Sequence, residues 1–90
     1  MGDARATFTE MYRTAMPVVY GFVILRVGGD KAVAEDITAE TFAAALKRFR
    51  AGQGNQVNKA WLRMVAKRRL IDYWRRQAVA SDLRGRGRHT

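Results

Sequence analysis

Residues 30–50 read DKAVAEDITAETFAAALKRFR, and a helix is the only regular structure that this run supports. Asp30 carries the short acceptor side chain of a helix N-cap, and alanine, the strongest helix former, recurs through the run. At about 100° per residue, Phe42, Leu46 and Phe49 fall on one face, with Val33, Ile37 and Ala44 on an adjoining one. Asp36, Glu40 and Lys47 lie within about 40° of each other on a third face, with Ala43 beside them. That polar stripe is expected to point away from the core, with Glu35 and Asp36 near the helix start complementing its dipole.

Upstream, Thr7 and Glu10 have the spacing of a capping box, with Phe8, Tyr12 and Ala15 following at helical intervals. Pro17 cannot donate to a preceding turn, so it either kinks this helix or opens a second one at its first position. The second reading leaves residues 18–27 as an apolar helix stopped by Gly28 and Gly29. The same run, VVYGFVIL, has strand propensity, but no second strand exists to pair with it.

Downstream, residues 50–58 (RAGQGNQVN) form the only clear loop, marked by two glycines and four amides. A last helix is expected over residues 58–79. Its apolar residues Leu62, Val65, Ala66, Leu70, Tyr73 and Trp74 spread around half the circumference, interrupted by Met64 and Ile71. Arg63, Lys67, Arg68 and Arg75 occupy an arc of about 140° on the other side. Beyond it, residues 81–90 read as a frayed basic tail. The fold class is therefore all-α, a compact bundle of three to four helices over residues 1–80.

Ninety residues make one small domain, and an apolar fraction of 48% is ample for a core. Without cysteine there are no disulfides or thiolate metal sites, and the single histidine is His89, next to the C-terminus. Neither catalysis nor a metal or other cofactor is expected, and no phosphate-binding loop surrounds the paired glycines. The longest apolar stretch, residues 15–25, contains Pro17 and Gly21 and falls short of the roughly 20 residues of a membrane span. No charged-then-apolar leader opens the chain, so a cytoplasmic location without membrane insertion is expected.

The net charge of +9 is unevenly placed. Residues 1–44 hold four basic and six acidic side chains, whereas residues 45–90 hold thirteen basic ones against Asp72 and Asp82 alone. The two halves thus suit different partners, and the second suits phosphate. Lys59, Arg63, Lys67, Arg68 and Arg75 could each neutralise one. Arg69 and Arg76 fall on the opposite side, where intramolecular pairing with Asp72 or with an N-terminal acid is expected.

Three segments together bring a family into view. Residues 34–42 (AEDITAETF) resemble the AEDLTQETF-type signature of bacterial sigma factors of the extracytoplasmic-function (ECF) class. Residues 60–66 (AWLRMVA) are similar to that class's AWLFRIA segment, and residues 69–76 (RLIDYWRR) to its RLIDHWRR continuation. Phe8, Tyr12, Pro17, Val19, Tyr20 and residues 26–28 (RVG) sit at the family's offsets, so the likeness covers about residues 5–79. Two features depart from the pattern. Ala39 stands where glutamine is usual, and the loop is longer by a residue or two, with Val57 in place of a larger apolar residue.

The resemblance implies a region-two domain that holds core RNA polymerase and reads the promoter minus-ten element as the DNA opens. The implied contacts are the clamp helices of the largest polymerase subunit and promoter DNA, mainly as non-template single strand. An anti-sigma protein is the expected regulator, and no small-molecule substrate is implied. Glu35, Asp36, Glu40 and Lys47 are the candidates for polymerase docking. DNA contact is expected from Arg50, Gln53, Asn55, Gln56, Asn58 and Lys59, and from Trp61, Arg63, Lys67, Arg68 and Arg75. The loop amides can also be read as an ordinary surface connection, and Trp61 and Trp74 as core. The family's helix-turn-helix for the minus-thirty-five element is not in this sequence, so residues 81–90 also read as the start of an interdomain linker. The rival reading is a basic helical protein that binds nucleic acid without regard to sequence.

Overall fold

The computed structural model describes residues 4–88, and side chains within residues 7–82; His89 lies outside the described residues. Three α-helices follow one another: α1 (Ala4–Ile24), α2 (Lys31–Arg50) and α3 (Lys59–Arg88), with a single 3-10 turn (Gly54–Gln56) before α3. The all-α bundle expected from the sequence is thus formed with three helices. α2 packs against both others, and α1 and α3 also meet.

α1 runs unbroken through Pro17, so residues 18–27 are not a separate helix. The pyrrolidine ring fixes a φ that suits a helix, and the carbonyl deprived of its donor is that of exposed Arg13, open to water. The helix begins at Ala4, which places Thr7 and Glu10 inside it rather than at its start. Its last turns tighten, with Arg26 N–H donating to Val23 O (2.9 Å) and Gly29 N–H reaching back to Ile24 O (3.0 Å). That closure needs Gly28 at φ 65°, a left-handed conformation that glycine takes without a Cβ clash.

Asp30 caps α2 as expected: its Oδ1 accepts from the Val33 N–H at 3.2 Å. The core draws Val19, Val23 and Val27 from α1, Ile37 and Phe42 from α2, and Leu62 and Leu70 from α3. Ala34, Ala45 and Ala66 are fully buried as well, and their small side chains let the helix backbones approach closely. An aromatic cluster seals one end, with Tyr12 edge-on to Phe42 at 4.9 Å and Phe8 edge-on to Phe49 at 5.5 Å. Two threonines of α2 are buried. Thr41 Oγ1 donates to Ile37 O at 2.8 Å, whereas Thr38 Oγ1 has no partner.

α3 continues to Arg88, nine residues past the expected end at Val79. Its burial ends near Tyr73, and residues 74–79 are exposed. The long dimension of 65 Å against 23 and 18 Å agrees with a helix that outruns its bundle. Alanine, arginine, glutamine and leucine favour the helix over residues 75–84 without a core, and Gly85 and Gly87 work against it near its end. No helix among the described residues is long and apolar enough to cross a membrane.

Candidate functional site

On α2, Glu35, Asp36, Glu40 and Lys47 are all exposed, as the periodicity predicts. Exposed Ala39 and Ala43 lie among them, so the carboxylates stand above a shallow strip of methyl groups. The stripe is not isolated from the basic half of the chain. Glu40 shares a recess at the α2–α3 seam with Arg69, Asp72, Arg75 and Arg76, and Lys47 borders a second one with Arg68 and Trp61. Of the two expected partners for Arg69 and Arg76, Asp72 shares the recess but forms no salt bridge with either among the described residues.

The loop is built from backbone rules. Gly52, at φ 75°, lets the chain turn back after α2, so that Gly52 N–H donates to Phe49 O (3.1 Å) and Gln53 N–H to Arg48 O (2.8 Å). Those two bonds are the signature of a Schellman C-cap. An apolar contact usually accompanies that motif between the first residue of the last turn and the second beyond the cap. Here those residues are Arg48 and Gln53, and the contact is polar: Arg48 Nη1 donates to Gln53 Oε1 at 3.1 Å. The same nitrogen donates to Gln56 Oε1 at 2.8 Å. Gly54 lies flat against Phe49, where a Cβ would come within 2.7 Å of the ring.

Of the four amides, Asn58 has a different role. Its Oδ1 accepts from the Trp61 N–H at 2.8 Å, which makes it the N-cap of α3. Its side-chain carbonyl is therefore oriented by the fold. Arg50, Gln53, Asn55 and Gln56 remain exposed. Trp61 is half-buried, with the Arg48 guanidinium 5.9 Å from its ring centroid. Arg48 thus links the loop amides to the aromatic ring at the start of α3. Sequence reasoning passed over it, and the only local signal was an arginine placed just before a glycine-marked turn.

Lys59, Arg63, Lys67, Arg68 and Arg75 are all exposed on α3. They do not share one flank. Lys59 and Arg63 border an apolar groove against α1, where Val18, Phe22 and Leu62 form the walls. Arg68 and Arg75 lie toward α2, beside Lys47 and Glu40 respectively. Trp74 is half-exposed and its Nε1 donates to Arg26 O at 3.1 Å, tying α3 to the turn after α1. Arg26 is itself held, with Nη1 on Phe22 O at 2.8 Å and its guanidinium 3.7 Å from the Phe22 ring centroid. Among the described residues no three metal-ligating side chains converge.

The family model for sigma-70 region 2 matches residues 11–79, a span that includes most of α1, all of α2, the loop and the packed part of α3. The chain is similar to the ECF RNA polymerase sigma factor BldN of Streptomyces coelicolor, 40% identical over 76 residues. It is also similar to the ECF RNA polymerase sigma factor SigM of Bacillus subtilis, 36% identical over 83 residues. These alignments cover 82% and 88% of this chain but only 28% and 50% of the two relatives. No solved structure matches it.

Proposed function

The chain belongs to the sigma-70 region 2 family, and from that premise we propose that it binds core RNA polymerase and recognises and melts the promoter minus-ten element. The observation that carries this reading is the extent of the match, which takes in both the carboxylate-bearing face of α2 and the amide loop that leads into α3. The exposed stripe of Glu35, Asp36, Glu40 and Lys47 is the surface we assign to the clamp helices of the polymerase. Acids are concentrated there, on a chain that is otherwise basic, as suits a protein partner rather than DNA. An anti-sigma protein would act most directly by covering the same face.

Arg50, Lys59, Arg63, Lys67, Arg68 and Arg75 are assigned to phosphates, which bind strongly but alike at every step. Gln53, Asn55 and Gln56 have free donors for a base edge, and the half-buried ring of Trp61 offers a flat surface beside them. No cofactor or energy source is needed. Unstacking a base costs a few kcal/mol, and holding the single strand can offset that cost. The location would be the bacterial cytoplasm, where polymerase works. We assign residues 1–80 to this domain and residues 81–90, helical as far as Arg88, to the passage toward a further domain.

A pull-down of purified core RNA polymerase by the tagged chain tests the reading. Retention that is lost on reversing Asp36 and Glu40 supports it. A chain that only coats nucleic acid would retain no DNA-free polymerase, and that result would overturn it.

A further inference from the structure

The side chain of Arg48 decides which end of each loop amide is left for a ligand. A guanidinium can only donate, so the atoms of Gln53 and Gln56 that face it must be the carbonyl oxygens. One terminal nitrogen carries two hydrogens, and Arg48 Nη1 meets both oxygens, at 3.1 and 2.8 Å. Both hydrogens are then used and neither amide can turn over without losing a charge-assisted bond. The side-chain Nε2 atoms of Gln53 and Gln56 make no hydrogen bond among the described residues. Glutamine left free can offer a donor or an acceptor with equal ease. Held this way, it keeps its carbonyl oxygen on Arg48 and turns its two N–H donors outward.

We propose that Arg48 is the positioning residue that turns the N–H donors of Gln53 and Gln56 outward and so makes that pair selective for a keto base over an amino base. The inference rests on the reading above that the loop meets an unstacked base. Guanine and thymine present a carbonyl oxygen at the position where adenine and cytosine present an amino group. Two fixed N–H donors satisfy the first and leave the second facing another donor, with neither group able to bond. Because the same guanidinium lies 5.9 Å from the Trp61 ring, the reading edge and the adjoining flat ring are held in one fixed relation. Gly54, pressed on Phe49, and the Schellman bonds from Gly52 and Gln53 anchor the loop backbone that carries both glutamines.

The test uses the full chain bound to core polymerase and fluorescent single-stranded minus-ten oligonucleotides. Each position in turn carries guanine, hypoxanthine, thymine, adenine or cytosine. Hypoxanthine separates the keto oxygen from the extra amino group of guanine. We expect one position at which keto bases outcompete amino bases by about tenfold. Arg48→Met should reduce that ratio to near one while an abasic strand binds as before. The Gln53→Glu, Gln56→Glu double variant keeps acceptors for Arg48 but replaces the free donors with carboxylate oxygens. It should turn the preference toward amino bases, an inversion that loop unfolding would not produce.

If Gln53→Ala with Gln56→Ala changes no base ranking, the loop does not read bases and the assignment beneath the proposal fails. If those alanines change the ranking but the Arg48→Met and glutamate variants leave the keto ratio intact, the loop reads bases and the Arg48 inference is overturned.

Discussion

At Gly54 a methyl group would stand 2.7 Å from a ring carbon of Phe49, a buried aromatic with little room to move. Gly54→Ala should therefore cost about 1–3 kcal/mol, the usual penalty for overpacking, and urea unfolding followed by circular dichroism would show it. The opposite sign is expected at Thr38, whose Oγ1 is buried without a partner. Valine has nearly the same shape and no hydroxyl, so Thr38→Val should raise stability by about 1 kcal/mol in the same assay. An unchanged or lower midpoint would mean that the hydroxyl is solvated in solution. Such single-residue effects are hard to read from sequence. In a helical projection Thr38 falls opposite the polar stripe, between Ala45 and Phe49, so its burial is legible, but whether its hydroxyl finds a partner there depends on the packing of three helices. Arg48 was hidden for a related reason: its partners lie five and eight residues on, across a turn whose path had first to be known.

Among the elements, α2 was the most legible, because its start and end follow rules that act within a few residues. Asp30 supplies the cap and Gly52 the left-handed exit. Pro17 was ambiguous, since the residue fits equally well at a helix start or on the solvent side of a continuing helix. The structure resolves it through the exposure of that face, which is a tertiary property. α3 ends later than the sequence pattern indicates, because a helix without a core pattern carries no periodicity to mark it.

The exposed faces of α2 and α3 carry separate predictions. Asp36→Arg together with Glu40→Arg should abolish retention of core polymerase while far-UV circular dichroism stays helical, since neither side chain contributes to the core. On α3, changing Arg63, Lys67 and Arg75 to alanine should weaken single-strand binding. The log–log salt slope should fall by about 0.7 for each phosphate that is no longer neutralised, measured by anisotropy between low and moderate salt. A fall in affinity with no change in slope would assign those residues to packing or base contacts.

For the molecule as a whole, the bundle and the projecting end of α3 are energetically separable. Residues 74–79 are exposed, so ending the chain after Ala80 should leave the urea midpoint almost where it was. The truncation removes Arg84, Arg86 and Arg88, and DNA affinity at low salt should fall even though the fold is intact. A large drop in midpoint would show that the distal part of α3 supports the bundle.

The placement of the two tryptophans, the only ones in the chain, has a practical consequence for watching the molecule at work. Trp61 lies beside the Arg48 guanidinium at the loop, and Trp74 is hydrogen-bonded to the turn after α1. Thirteen residues separate them along α3, about 20 Å at the rise of a helix. Each indole is therefore an intrinsic optical reporter for a different junction, and neither requires an attached dye. In a Trp74→Phe background the remaining emission follows the loop alone. Mixing that variant with single-stranded DNA in a stopped-flow instrument would time the arrival of a base at the loop. The reciprocal Trp61→Phe background would report whether the α1–α3 junction responds at all.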